Sequence, residues 1–278
     1  MSMGIKRVAR NVAAGLRGHL VTIAGGAPTA NGPYKVFVIG SGRSGTHWLG
    51  YILEAFPQTH VTVEKPPIFP WVVEMAQRPA SEDKLFPQLA TRYRAEHRRV
   101  LPRLYVDKSH PNLWLAERLA AEFHEARFVA IWRSLEGTVA SMLKHEGVRY
   151  WVEEWDRHGG TNRFLGVTQD LIPAYRNLSV AGRCAVRVIA HAVEIERLAG
   201  KLGSRLHVVA YDALHSEPDA EIARLADFLN LPVPPGVPRP DAGSRWKWRK
   251  QLSDSDLADI REVAAHMGAE DLLDVQPA

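Results

Sequence analysis

VFVIGSGRSGTHWL (Val36–Leu49) carries the pattern that decides the fold, because an apolar strand runs into a glycine-rich turn that opens a helix. Gly40, Gly42 and Gly45 allow a tight turn whose backbone can lie against a ligand. A helix that begins after Gly45 directs free N–H groups and a partial positive charge toward the turn. The same stretch supplies four side-chain donors: Arg43, Ser44, Thr46 and His47. The sequence therefore predicts a cradle for a phosphate-like anion.

Two nucleotide-binding motifs can be compared with this turn. The P-loop of NTPases has a lysine after its second glycine, whereas Thr46 stands there in this chain. The dinucleotide motif G-x-G-x-x-G is matched by Gly40, Gly42 and Gly45, and Glu64 follows about 20 residues on, where a ribose-binding acid is expected. The dinucleotide interpretation stays open at this point of the chain.

Composition indicates an ordinary globular protein. The chain has 278 residues, 46% hydrophobic and 24% charged, and its single cysteine, Cys184, excludes an internal disulfide and a cysteine-built metal site. The formal net charge of +4 is too small to indicate a nucleic-acid binder. We expect no nucleic-acid partner and a cytoplasmic location.

The first 33 residues differ from the rest. No acidic residue occurs before Glu54, and apolar residues from Ile5 to Leu20 recur at helical spacing. This pattern favours a basic amphipathic helix packed on the protein, and it leaves peripheral membrane contact open. Residues 28–33 are predicted to be a linker, so the main domain is expected to cover 34–278.

Five short apolar stretches alternate with helical patterns along the rest of the chain. The predicted strands are Val36–Gly40, His60–Glu64, Leu104–Lys108, Phe128–Trp132 and Leu206–Tyr211. The predicted helices are Thr46–Phe56, Asn112–Glu125, Leu135–Glu146, Val180–Leu202, Glu217–Asn230 and Ser253–Met267. This alternation predicts a single α/β domain with a central, mostly parallel sheet of about five strands flanked by helices.

The segment Arg149–Asn177 is rich in aromatic and charged residues, and two interpretations of it stay open. It is either a lid or acceptor-binding loop over the ligand edge of the sheet, or an ordinary surface insertion.

A second anion site is indicated at the end of the fourth strand. Arg133 follows the strand, and Ser141 lies eight residues further on in the next helix. Ligands of open α/β sheets bind at the carboxyl ends of the strands, where Arg43 and Arg133 are both expected. Two anion sites suggest a nucleotide that carries phosphates at two positions.

These motifs together resemble the sulfotransferases that use 3′-phosphoadenosine-5′-phosphosulfate (PAPS). Arg43–Leu49 is similar to their 5′-phosphosulfate loop, and Arg133 with Ser141 is similar to their 3′-phosphate motif. Val208–Leu231 resembles the family stretch that contains an adenine-contacting tyrosine, here Tyr211. Asp107–Asn112 resembles a lysine-containing family segment. The motifs occur in family order, which displaces the dehydrogenase interpretation and implies a P-loop-like sulfotransferase architecture.

The resemblance implies roles for individual residues. Arg43, where many family members have lysine, is expected at the 5′-phosphate and the bridging oxygen. Ser44, Gly45, Thr46 and His47 complete the loop, and Trp48 either offers a face to adenine or packs in the core. By position, Arg245 and Lys247 resemble a C-terminal loop that contacts the donor. No metal is expected.

The acceptor hydroxyl needs a base, and two candidates stay open. His110 lies in a KSH segment similar to the KTH of one family branch, and Glu64 follows the second strand. Lys108 is expected either to hold the sulfuryl oxygens or to form a salt bridge with Asp107 or Glu64. The predicted activity is transfer of a sulfuryl group to a hydroxyl acceptor, with a glycan or glycolipid favoured. A P-loop-like kinase and an inactive nucleotide-binding module are the alternatives.

Overall fold

The structure is a computed structural model that describes residues 34–158, 160–239 and 241–274. These residues form two compact units. The sheet unit comprises 34–132 and 197–239, and the second unit comprises 133–196 and 241–274. The basic segment and linker predicted for residues 1–33 lie outside the described residues.

Five parallel strands form the centre of the sheet unit. They are β1 (Lys35–Gly40), β2 (Thr59–Val63), β3 (Leu104–Lys108), β4 (Arg127–Trp132) and β5 (Leu206–Ala210), in the order β2-β3-β1-β4-β5. Both neighbours of β1 are parallel to it, with Val38 opposite Lys108 and Gly40 opposite Ile131. The chain order reverses beside β1, which places the turn after β1 at a topological switch point, the usual ligand edge of such a sheet.

Helices follow these strands along the chain and belong to the sheet unit. Six of the described α-helices lie wholly in it: α1 (Thr46–Glu54), α2 (Ile68–Gln77), α3 (Glu82–Val100), α4 (Ala116–Glu122), α9 (Tyr211–Ser216) and α10 (Pro218–Leu229). A further helix, α8 (Val180–Leu202), begins in the second unit and ends in the sheet unit. The second unit also contains α5 (Leu135–Leu143), α6 (Glu146–Glu153), α7 (Ile172–Tyr175) and α11 (Asp254–Met267). The predicted α/β class with a five-stranded sheet is confirmed.

Alternating side chains of β1 pack on opposite faces of the sheet. Val36 and Val38 belong to a buried cluster with Leu49 and Ile52 of α1. Phe37 points to the other face, where its ring centroid lies 5.0 Å from that of Tyr93 in α3. Because both faces are covered, the strands are apolar nearly throughout, as parallel strands must be.

Several predicted helix boundaries were wrong. The stretch Asn112–Glu125 is a 3-10 helix, His110–Leu115, followed by α4, with Pro111 in the first turn of the 3-10 helix. The stretch Leu135–Glu146 ends at Leu143, and Glu146 instead begins α6 behind His145, whose ring accepts from Val148 N–H. Helices α2 and α3 were not predicted.

Of the helices in the described part of the chain, none is both long enough and apolar enough to span a bilayer.

The predicted start of α11 is confirmed, because Ser253 caps it and forms a capping box with Asp256.

Candidate active site

The turn between β1 and α1 forms a compact loop. The Ser44 Oγ lies 2.7 Å from the Ser41 carbonyl oxygen and 3.3 Å from the Ile131 carbonyl oxygen, which ties the loop to itself and to β4. Arg43 has φ 75 and Gly45 has φ 107, so both residues lie in the left-handed region. A non-glycine residue there costs about 1–2 kcal/mol, and such strain is concentrated at functional sites.

Close contacts require glycine at positions 42 and 45, and at Gly45 the backbone conformation requires it as well. A Cβ at Gly42 would lie 2.9 Å from His110 Nε2, and one at Gly45 would lie 2.8 Å from Tyr211 Cδ2. The loop backbone therefore packs directly against two side chains that the sequence predicted to be functional.

The N-terminus of α1 opens at this loop. The first α-helical bond runs from Leu49 N–H to the Gly45 carbonyl oxygen, so the helix itself does not use the N–H groups of its first turn. Those groups and the positive end of the helix dipole favour an anion. Thr46, in the first turn, is buried, and the His47 side chain is 46% exposed.

Glu64, Lys108, His110 and His47 form a charged cluster beside the loop. The Lys108 Nζ donates to Glu64 Oε1 at 2.5 Å and to His47 Nδ1 at 3.0 Å. His110 Nδ1 lies 3.2 Å from the same Glu64 Oε1. Of the two salt bridges predicted for Lys108, the structure contains the one with Glu64.

Strand register explains why Glu64 and Lys108 meet. Val63 is opposite Lys108 in the pairing of β2 with β3, and the next residue, Glu64, donates its N–H to the Lys108 carbonyl oxygen at 3.0 Å. Glu64 has φ 46, which turns the chain out of the strand there. The carboxylate is thereby brought back over the end of β3.

The electrostatics of the cluster follow from burial and pairing. Burial by itself raises the pKa of Glu64, but the hydrogen bond from His110 and the positive charge of Lys108 outweigh it and lower the pKa to about 2. Burial lowers the pKa of Lys108, and Arg43 adds to this, whereas Glu64 opposes it. Glu64 is therefore a carboxylate at neutral pH and a poor proton acceptor.

Asp107, next to Lys108 in β3, is held by a network of hydrogen bonds. Its buried carboxylate accepts from Tyr93 Oη at 2.9 Å, from Asn112 Nδ2 at 3.0 Å and from Thr62 Oγ1 at 3.2 Å. Burial raises the pKa of Asp107 to about 6, although the hydrogen bonds from Tyr93 and Thr62 oppose the shift. Asp107 thus fixes the end of β3, from which Lys108 projects.

Aromatic rings lie on the other side of the loop. Trp48 Nε1 donates to the Pro238 carbonyl oxygen at 3.0 Å, and its ring meets that of Tyr211 edge-on at 5.4 Å. His215 packs against both rings, at 5.3 Å from Trp48 and 4.8 Å from Tyr211. Trp48 is only partly buried and packs on the core cluster, so neither of its two predicted roles is decided.

The second unit contains the residues of the predicted 3′-phosphate motif. Arg133 follows directly on Trp132, the last residue of β4, and Ser141 lies within α5. Arg133 Nη2 donates to the Ser244 carbonyl oxygen at 3.4 Å. A Cβ at Gly137 would lie 2.7 Å from Arg133 Nε, so the absence of a side chain there leaves room for the guanidinium.

The basic run near the C-terminus is also in the second unit. Lys247 Nζ donates to Asp241 Oδ2 at 2.6 Å, and the Arg245 guanidinium carbon lies 4.5 Å from the Trp246 ring centroid. Trp248 is buried and donates to Asp274 Oδ2 at 3.1 Å. Of the two tryptophans in this run, Trp248 is therefore the one that packs in the core.

The structure brings most of the predicted loop and base candidates together within the sheet unit. Sequence reasoning missed that His47 contacts Lys108, since it was predicted only as a loop donor. It named Asp107 only as a possible salt-bridge partner of Lys108 and missed the hydrogen bonds that Asp107 accepts from Tyr93, Asn112 and Thr62. It also missed His215. The strand-end position of Asp107 was the one available signal, whereas nothing local to His215 indicates a ring cluster.

A model of the sulfotransferase family matches residues 33–235. The chain belongs to the sulfotransferase family. The match covers the loop, the charged cluster and the Arg133 motif of this sulfotransferase. No curated protein matches it in sequence.

Solved structures support the same fold. The sulfotransferase domain from the curacin biosynthetic pathway has a TM-score of 0.52 and 18% identity, over 84% of this chain and 97% of that one. The sulfotransferase domain of the Synechococcus PCC 7002 olefin synthase has a TM-score of 0.54 and 18% identity, over 86% of this chain and 96% of that one. At this identity the likeness concerns the fold.

Within residues 34–158, 160–239 and 241–274, no three His, Cys, Asp or Glu side chains group in a way that could hold a metal ion.

Proposed function

We propose that this sulfotransferase moves the sulfuryl group of PAPS to a hydroxyl group of an acceptor. The observation that carries the proposal is the loop before α1, in which Arg43 has φ 75 and the N-terminus of α1 opens at the loop, an arrangement suited to a phosphate-like anion. The donor's 5′-phosphosulfate is the ligand that the loop's family resemblance implies. By the same resemblance, Arg133 and Ser141 are assigned to the 3′-phosphate, and Arg245 and Lys247 to further donor contacts.

Arg43 and the loop N–H groups would stabilise the negative charge that develops on the leaving phosphate oxygen. As the bond from sulfur to that oxygen breaks, its electron pair stays on the phosphate, and arginine can bind two oxygens at once. Arginine stays charged and does not donate a proton readily. The Lys108 ammonium has three donors, of which two contact Glu64 and His47, and the third is suited to a sulfuryl oxygen.

His110 is the base in this proposal. Its Nδ1 faces the Glu64 carboxylate at 3.2 Å, which favours the tautomer with hydrogen on Nδ1. The Nε2 atom, beside Gly42, would then take the acceptor's proton as the acceptor oxygen bonds to sulfur. Glu64 is a positioning residue in this scheme, because its low pKa makes it a weak base.

The acceptor is the second part of the proposal. A glycan or glycolipid is the favoured class, because Tyr150 of the Arg149–Asn177 segment is exposed and its ring is suited to stacking on a sugar, whereas Trp155 is buried. We likewise retain the proposal of a cytoplasmic protein, with peripheral membrane contact through the basic N-terminal segment.

The decisive experiment supplies the purified chain with ³⁵S-labelled PAPS and a metabolite extract of the native source. We expect a labelled product and tight binding of 3′,5′-ADP by calorimetry. Binding of 3′,5′-ADP without transfer to any acceptor would support an inactive module. Transfer of labelled phosphate from ATP, with no binding of 3′,5′-ADP, would support the kinase and overturn the proposal.

A further inference from the structure

The second unit contains a fully buried arginine at the middle of α8. Arg187 has 0% exposure, and its Nε, Nη1 and Nη2 have no hydrogen-bond partner among the residues that the structure describes. Burial lowers the pKa of Arg187 to about 10, so the guanidinium remains charged at neutral pH. A buried charge is rarely left without an opposite charge or a full set of hydrogen bonds.

Aromatic rings contact this guanidinium without satisfying its N–H groups. Its central carbon lies 4.3 Å from the Phe164 ring centroid and 5.2 Å from that of Trp151. His191, one turn further along α8, lies with its Nε2 2.9 Å from the Phe164 carbonyl oxygen, which fixes Phe164 over Arg187. Ring faces stabilise the positive charge, but the N–H groups require acceptor oxygens.

A second polar side chain of this unit is also buried without a hydrogen-bond partner among the described residues. Tyr175 is fully buried, and its hydroxyl also has no hydrogen-bond partner among the described residues. Tyr175 packs on the face of α8 that carries Arg187, because Arg183, one turn before Arg187, has its guanidinium carbon 5.5 Å from the Tyr175 ring centroid. The charge of Arg187 lowers the pKa of Tyr175, although burial raises it overall. Cys184, also near Arg187, does not supply the missing negative charge, because burial raises the pKa of its thiol to about 12.

We propose that Arg187 and Tyr175 form a buried binding site for a carboxylate group. A carboxylate is planar, accepts two parallel bonds from a guanidinium and has lone pairs left for a phenol O–H. The group comes either from a small free carboxylate enclosed in the unit or from the end of a larger ligand. The site lies within the second unit and does not depend on the sulfuryl-transfer proposal.

The test measures the melting temperature of the whole chain at increasing concentrations of formate, acetate or octanoate. Each carboxylate replaces a bulky sulfonate anion of the buffer, and the sodium concentration is held constant. A ligand that binds only the folded state raises the melting temperature as its concentration exceeds its Kd. We expect this rise for the wild type and its loss in Arg187→Met. Formate and acetate acting more strongly than octanoate would indicate an enclosed free anion, and the reverse order would indicate the end of a larger ligand.

Arg183→Met is the matched control. Arg183 lies one turn earlier on α8, but its donors are satisfied by the carbonyl oxygens of Tyr175, Val152 and Arg176. This variant is expected to keep the response to carboxylates even if its melting temperature is lower.

Tyr175→Phe keeps the ring and removes one donor, so carboxylate affinity should fall about tenfold. If Arg187→Met does not fold, this variant tests the proposed site instead. Equal responses of wild type, Arg187→Met and Tyr175→Phe would overturn the proposal. So would the absence of any response in the wild type, as expected if only water fills the site.

Discussion

Lys108 Nζ lies 2.5 Å from Glu64 Oε1, and the backbone holds the pair together, because Glu64 N–H donates to the Lys108 carbonyl oxygen at 3.0 Å. This ion pair joins the ends of two neighbouring strands. It fixes the charge state of Glu64 and the position of His110, on which the proposed proton transfer depends.

Replacement of Glu64 by glutamine should change the stability of the fold in acid. The folded-state pKa of Glu64 is about 2, below its ordinary value of 4.5. The carboxylate therefore stabilises the fold at pH above about 4.5, and this contribution is lost as the pH falls toward 2. Urea unfolding across this window should show a steeper loss of stability for the wild type than for Glu64→Gln.

Glu74→Gln is the control for that experiment. Glu74 forms an exposed salt bridge with Arg78 on α2, so its replacement should leave the acid slope close to that of the wild type. Identical slopes for Glu64→Gln and the wild type would contradict the paired state of Glu64.

Removal of the His110 ring should reduce turnover without weakening donor binding. A general base contributes about 10²–10⁴-fold in rate, so His110→Ala should lower kcat by that factor while 3′,5′-ADP affinity is retained. Glu64→Gln should cause a smaller loss and move the acid limb of the kcat profile to lower pH, because an imidazolium loses its carboxylate partner. A kcat for His110→Ala equal to that of the wild type would exclude His110 as the base.

The charge at Arg43 is expected to be essential for transfer. Arg43→Ala should abolish sulfuryl transfer from PAPS, whereas Arg43→Lys should retain part of it, because lysine keeps the charge but loses the two-oxygen contact. Arg133→Ala should also abolish transfer, with 3′,5′-ADP binding as the second measurement. Arg78→Ala, at the exposed residue that follows α2, is the control. Normal turnover in Arg43→Ala or Arg133→Ala would contradict the donor assignment.

The conformation of the loop can be tested at two glycines of the same segment. Gly45→Ala places a Cβ 2.8 Å from Tyr211 Cδ2 at φ 107, so both 3′,5′-ADP binding and thermal stability should fall. At Gly50, inside α1, a Cβ would lie 3.7 Å from Lys108 Cγ, which is an ordinary contact. Gly50→Ala should keep binding and stabilise the helix by about 0.5–1 kcal/mol. Similar losses in both variants would show that the loop geometry is not the cause.

The sequence by itself determined the α/β class, the five strands and the anion-binding loop. Each of these depends on a local pattern: buried parallel strands are apolar nearly throughout, and the turn after β1 needs its glycines. The two helices between β2 and β3 were not predicted, and each contains a proline, Pro70 in α2 and Pro87 in α3, a residue that usually ends a helix. Leu143 and Glu146 were assigned to one helix because apolar spacing continues across the break at His145.

Only the tertiary structure decided which charged groups meet. The pairing of β2 with β3 places Val63 opposite Lys108, and no local pattern specifies that register. The low pKa of Glu64, the approach of His110 to Gly42 and the buried state of Arg187 all arise from residues that are distant along the chain. Sequence names the groups that can carry charge, but their protonation and roles depend on burial and on partners that folding brings together.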